Sequence, residues 1–551
     1  MRDWNRRPSA TRAITRYPVG SSTGMTLERR LMPSVDLLTY HNDVARTGAN
    51  LNETELTPAN VNPAQFGKLA QAAVDGQVYA QPLVKTGVVF RDGSTHDVVF
   101  VATEHDSVYA FDANTLSPLW KDSFINPAAG ITPASSASLA FTDLVPEVGI
   151  TGTPVIDAAT NTLFVVSEVQ ETMAGQLTYA HQLHALDLAT GAERLGGPLI
   201  IEASAAGRGV GSVRGQVAFQ SKWELQRSAL LLDNGSVYVA FSSHGDLGPY
   251  HGWVLGYDSQ TLRPTASYNI TPNGQQGGIW MSGGGLASDT SGFIYLSSGN
   301  GTFHPRPRRG DYGDSIVKLA PSNLPERLAV VDYYTPSSQA YLNANDLDLG
   351  SGGVMLLPNQ AGPFPHLLVT GAKEGRLYLI NRDNLGRFVA NPTRERSHQQ
   401  IPGALHRIFS SPAYFNGTIY YVGFGNPGVS TPNQGDRLKA YSIVNGVINP
   451  AATSSPLAYG FPGAVPSVSA NGATDGIVWT ISNAGGGLGN VAELRAFDAA
   501  NVTRVLYDST QIGTRDQATT AVKFAAPTVT NGKVYVGSAR ALTMYGLFPR
   551  K

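Results

Sequence analysis

Residues 526–547 read APTVTNGKVYVGSARALTMYGL. Small residues and Pro527 introduce a short β-branched run, and Asn531-Gly532 follows it. That dipeptide supplies the positive φ angles a two-residue hairpin requires. VYVGS (534–538) then alternates as a half-buried strand does, and a third apolar run completes the segment. The unit recurs upstream. Its opening strands are anchored at Pro82, Pro154, Ala229, Gly285, Gly353, Pro412, Pro466 and Pro527, about 54 to 75 residues apart. Self-similarity at such a period marks a repeat architecture, and the count is eight. Asn234-Gly235, Asn416-Gly417 and Asn471-Gly472 repeat the hairpin signal, and VYVAF (237–241), IYLSS (294–298) and IYYVG (419–423) repeat the second strand. The reading is an all-β, eight-bladed β-propeller over residues 37–551. The last unit supplies only three strands, so FGKLAQAAV (66–74) is expected to provide the fourth and leave the ring without an open edge.

Composition agrees. The 551 residues include 60 Gly and 34 Pro with 15% charged and 42% hydrophobic residues, the profile of a turn-rich, well-buried β protein. A net charge of −1 and the lack of a basic stripe in the repeats argue against nucleic-acid binding. No apolar run is long enough for a membrane span. With no cysteine there are no disulfides or thiolate metal sites. Residues 1–36 are Arg-rich without an apolar core, so they read as a disordered or leader tail and show no intact secretory signal.

Propeller topology turns position into location. The Asn-Gly turns, joining first to second strands, share one face. Loops 126–150, 168–178, 201–226, 242–252, 299–313, 333–351 and 392–408 are assigned to the other, where sites are usually built.

The third strands carry the most specific pattern: AFDANTLSPLW (110–120), ALDLATG (185–191), GYDSQTL (256–262), LINRDNLG (379–386) and AFDAANV (496–502). The pattern resembles the docking motif of the quinoprotein, PQQ-type propellers, in which an Asp/Thr/Gly turn and a Trp tie each blade to its neighbour. The segments 279–319, 332–357 and 371–386 are similar to the central part of the PQQ-dependent alcohol dehydrogenases. Trp280, Gly299-Asn300, Arg309-Gly310-Asp311, Asp346-Leu347-Asp348 and Lys373 stand at the matching places.

The resemblance implies an oxidoreductase acting on an alcohol or sugar hydroxyl with PQQ and a bound Ca²⁺ or lanthanide, passing electrons to an external acceptor. It places the quinone on Trp280, with Lys373 at its oxygens, and assigns the cation to Glu168, Asn300, Asp346 and Asp348. Asp346 is the implied general base. An Asp at the position of Asp348 accompanies lanthanide use in that family. A periplasmic or secreted location is implied in the same way. The chain also departs from the pattern. The family's adjacent cysteine pair is impossible, FTDLVPEVGITGTPVID (141–157) lacks the cationic contact that follows it, and no haem-attachment motif is present.

Each residue also has a plain reading. Trp280 suits a packed core, Asn300 a turn, Asp346 and Asp348 a structural turn or a calcium site without quinone, and Lys373 an ion pair with Glu374. Glu171 competes with Glu168. A second cluster, SSHGDLGPYHGW (242–253), gathers His244, Asp246, Tyr250 and His251 in one loop. His105, His304, His398 and His406 map to the same face, as does Trp223. These residues suit a substrate pocket or hydrogen bonds between adjacent loops, and two His with an Asp could also ligate a transition metal or perform acid–base chemistry. Two alternatives therefore stay open: a PQQ-free, metal-assisted or acid–base lyase or hydrolase acting on a carbohydrate or polyol, and a non-catalytic binding scaffold.

Overall fold

A computed structural model describes residues 35–306, 310–322, 328–425, 435–483 and 490–549. The expectation for residues 1–36 falls outside this set except at its end, and Arg309 also lies outside. Val35 and Asp36, grouped with the tail by sequence, are bound to blades: Val35 N donates to Asn531 Oδ1 at 2.9 Å, and Asp36 Oδ1 accepts from Thr86.

Eight antiparallel blades of four strands form a ring. Their inner strands begin at Leu83, Val155, Leu231, Ala287, Met355, Ala413, Ser467 and Thr528, one or two residues after each sequence anchor. The second strands are buried on both faces, so they read as near-continuous apolar runs such as Ile477–Ile481. There is no central core. Apolar layers lie between neighbouring blades instead, for example Phe164 and Val166 of blade 2 against Val237, Phe241 and Trp253 of blade 3. Strand Phe66–Gln77 pairs with the second part of Lys533–Leu547, completing blade 8. Ala72, Val74 and Tyr535 then pack on Val84, Val99 and Phe111, so blade 8 joins blade 1.

The docking motif works as a bolt between blades. Asp112 Oδ1 accepts from the backbone and hydroxyl of Thr115, closing the turn after the third strand. Trp120 then donates its Nε1–H to Leu188 O of blade 2 at 2.9 Å. Its ring lies on Gly191, where a Cβ would come within 2.7 Å.

Residues 37–53 have no counterpart in the repeat. They cross the ring on the side of the Asn-Gly turns, with Gly472 N donating to Leu51 O and Gly532 N to Glu53 Oε2. Tyr40 packs on Ala229, Val465 and Ala526 from three different blades, stoppering the axis.

Two loop assignments change. Residues 168–178 are the end of a long hairpin, Thr162–Met173 with Gln176–Asp187 in full register, because this second strand continues far beyond the blade. The outer strand of blade 5 is Gln399–Ile401, so residues 392–398 precede it and belong to the opposite side. His398 accordingly meets Gly446 O of a third-to-fourth-strand turn at 2.8 Å.

Candidate functional site

The side chains over the open end of the axis come from one recurring position, the connection leading into each inner strand. Asp143, Arg227, Trp280, Asp348, Phe409, Phe461 and Lys523 are supplied this way by blades 2 to 8. Ser243–Asp246 and Lys373 add loops between second and third strands. Together they enclose a cavity of about 220 Å³. A larger groove of about 440 Å³ at the rim, lined by Tyr268, Tyr312 and Tyr333, holds only Gly310 of the residues singled out by sequence. The central cavity, with its convergent charges, is the better site.

Five of the residues singled out by sequence meet here. Asn300 N donates to Asp348 Oδ1 at 2.8 Å, and Asn300 Nδ2 donates to Asp346 Oδ1 at 3.0 Å. Lys373 Nζ lies 2.7 Å from Asp346 Oδ1 and 3.3 Å from Asp348 Oδ2. Glu374, offered as its partner by the plain reading, pairs instead with Arg376 and Tyr378. Burial works against the charge on Lys373, but Asp348 and Asp346 outweigh it and hold the ammonium above its usual range. Burial pushes Asp348 up to about 6, with the Lys373 charge and the Asn300 N–H opposing. Asp346 sits at φ +52° with its carboxylate 65% exposed; it reaches the cavity through Lys373, which lines it. Trp280 presents a half-buried ring anchored through Nε1 to Ser243 O, and Gly278 and Gly299 leave no room for a side chain against it.

The remaining candidates separate. Glu168 does not line the cavity. Its two oxygens face His181 Nε2 at 3.2 Å and His244 Nε2 at 2.9 Å, all three side chains being fully buried. Burial raises the Glu168 carboxyl, and the two imidazoles more than reverse this, bringing it to about 2. The neighbouring strand placed His181 there, and a sequence repeat gives no sign of it. His251 is buried with its ring nitrogens on Thr271 and Val210 O, so it ties loops together. His105 pairs with Glu147 at 2.9 Å. Trp223 carries Lys222 Nζ 4.6 Å above its ring. Asp246 does line the cavity and accepts from the Tyr250 hydroxyl at 2.5 Å. His304 stands beside Arg306 in a short hairpin, and His406 is exposed near Asp436.

Among the described residues no group of three or more His, Cys, Asp or Glu is arranged to hold a metal ion. The donor set nonetheless fits a hard cation at one atom, since Asn300 Oδ1 is buried with no hydrogen-bond partner. The bare face of Trp280 fits a flat ring.

No family model and no curated protein matches this chain. Solved structures do. A quinohemoprotein alcohol dehydrogenase from Comamonas testosteroni is 13% identical, with 94% of this chain and 82% of that one covered at a TM-score of 0.58. A europium-containing methanol dehydrogenase is 13% identical over 93% of this chain and 98% of that one, with a TM-score of 0.59. A quinohemoprotein alcohol dehydrogenase from Pseudomonas putida HK5 is 14% identical over 94% and 82%, at 0.54. These similarities show that the chain has the eight-bladed propeller fold of the quinoproteins, at great sequence distance.

Proposed function

We propose that this protein is a quinoprotein-like oxidoreductase that oxidises a hydroxyl group of a small alcohol or sugar in the central cavity. The observation that carries the reading is the bonded set Asn300, Asp346, Asp348 and Lys373 beside the Trp280 ring over the open end of the axis. Trp280 would hold PQQ on its face, and Asn300 Oδ1 with Asp346 and Asp348 would hold Ca²⁺ or a lanthanide. When bound, the quinone supplies the two-electron acceptor. Asp346, exposed and oriented through Oδ1 by Lys373 and Asn300, takes the hydroxyl proton at its other carboxylate oxygen. Lys373 keeps a positive charge where negative charge develops. Asp348 and Asn300 bond to this pair, and Tyr40 of the segment 37–53 packs across the axis. Delivery of electrons to an external acceptor and a periplasmic or secreted location follow from the same reading.

The test is reconstitution of the purified chain with PQQ plus Ca²⁺ or La³⁺, followed by quinone absorbance, thermal shift and dye reduction with simple alcohols. Binding with turnover, lost at least 100-fold in Asp346→Ala, is expected. Folded protein that binds PQQ with neither ion overturns the reading. The Asp246–Tyr250 pair favours a second one. Burial raises the Asp246 carboxyl, as it does that of Asp348, giving two carboxyls suited to acid–base work on a polyol without quinone.

A further inference from the structure

Arg227 closes the inner end of the cavity and is 6% exposed. Its side chain makes no hydrogen bond or ion pair with any described residue, and Nη2 is buried without a partner. The Phe524 ring covers it, with Cζ 4.8 Å from the centroid. Gly283 is shaped around it: at φ +85°, a Cβ there would stand 2.4 Å from Nη1. Lys523, one residue before Phe524, lines the same wall half-buried. It contacts the Phe461 ring at 5.9 Å and forms no hydrogen bond or ion pair among the described residues.

A buried guanidinium is normally paired, since an unpaired buried charge is costly. Glu104, the carboxyl whose charge acts on this guanidinium, forms no ion pair with it. Glu104 spends Oε2 on Gly149 N and Thr151 Oγ1, and burial pushes its pKa up to about 8, so it is mostly protonated at neutral pH. The Arg46 guanidinium, by contrast, bonds Thr39, Tyr40 O, Leu230 O and Leu286 O. Arg227 is therefore a cation left open among the described residues, and it lines the cavity.

We propose that Arg227 and Lys523 form a carboxylate-binding site, so that the molecule occupying the central cavity is an organic acid gripped by its carboxylate at the axis end. The planar fork of Arg227 matches a carboxylate through two parallel hydrogen bonds. Trp280, Phe409, Phe461 and Phe524 cover the remainder of a flat or small ligand. The proposal rests on the central cavity being the binding site and deepens the reading above by naming the ligand class. The carboxylate has two sources, PQQ itself, a tricarboxylate, or a hydroxy-acid substrate.

Isothermal titration and thermal-shift measurements on the full chain, with sodium malonate, sodium lactate and PQQ as probes, separate these. Sodium chloride at matched ionic strength is the control. Wild type is expected to bind at least one probe. Arg227→Met should weaken that probe at least 30-fold, and Arg227→Lys at least 10-fold because the fork is lost. Lys523→Met, placed at the cavity wall, should weaken it 3- to 10-fold and serves if Arg227→Met fails to fold. Malonate or lactate binding identifies a substrate carboxylate, and stands even if PQQ does not bind and the quinone reading falls. Binding of PQQ alone, weakened in these variants, identifies the cofactor as the source. If folded wild type binds none of the three, or if the variants bind as wild type does, the proposal is overturned. In the latter case PQQ binding would leave the quinone reading standing alone.

Discussion

Two fully buried glutamates beneath the cavity show how partner chemistry decides the charge of one residue type. Glu168 faces two imidazoles and is held near 2, while Glu104 is bonded to an N–H and a hydroxyl, and burial outweighs these and the Arg227 charge to raise it to about 8. The signs are opposite under linkage. Glu168 contributes stability that is present above 4.5 and lost as pH falls towards 2. Glu168→Gln should cost about 1–3 kcal/mol at pH 7 by changing the group that two fully buried imidazoles face. Urea unfolding would measure it, and a loss below 1 kcal/mol would contradict the pairing. Glu104 holds a proton in the folded state that the unfolded chain releases. Its contribution is complete below 4.5 and is lost as pH rises through 8. Glu104→Gln removes that titration, so its stability relative to wild type should rise by on the order of 4 kcal/mol between pH 4.5 and 9. A pH-independent difference would refute the shift. At this scale the sequence was only partly legible. Trp280, Asn300, Asp346, Asp348 and Lys373 stand in motif spacing, whereas Arg227 and Lys523 are single cations in unremarkable segments. The usable signal was positional: each lies within a few residues of the small residues opening an inner strand, as Trp280 does.

At the scale of elements, turn chemistry was readable because glycine and asparagine are required where φ is positive, and Asn234, Asn416 and Asn531 indeed have φ of 47°, 46° and 52°. Elements fixed by pairing were not readable. The long hairpin 162–187 continues past the expected loop because Val169–Glu171 pair a second time with Ile131–Pro133. Residues 37–53 are polar and aperiodic, so nothing local marks them as structure. Their order comes from hydrogen bonds to distant strands. Arg46, 1% exposed, is the centre of that segment. Arg46→Met should cost at least about 3 kcal/mol by orphaning several carbonyls at once. Between blades, Gly191→Ala should cost about 2–3 kcal/mol, since a methyl group at φ +73° meets the Trp120 ring. Calorimetry of both variants checks this. A Gly191→Ala protein as stable as wild type would show that the Trp120 bolt is slack.

At the scale of the molecule, one short segment touches every blade. Leu37 exchanges bonds with Val84, Leu38 O accepts from Ile156, Val44 O from Ser288, Ala45 O from Leu356, Thr47 O from Tyr414, and Gly48 O from Val468. Arg46 reaches Leu230 O in blade 3, and Asn50 reaches Val529 O in blade 8. A ring of blades bonded only to neighbours would open piecewise, as repeat arrays do. Here the inner strands share a hub, so freeing one hub bond requires moving the chain that holds the others. The amides of Val84, Ile156, Ser288, Leu356, Tyr414 and Val468, from six blades, should therefore exchange with solvent at one common free energy, that of global unfolding. Outer-strand amides, such as those in Pro264–Asn269, should exchange through smaller openings. Arg46→Met supplies the decisive comparison in native-state hydrogen exchange. It should lower protection at all six positions by the same amount, although Arg46 itself bonds only to blades 3 and 4. A loss confined to Ser288 would mean that the segment is a string of independent contacts and that the ring is held by its blade interfaces alone.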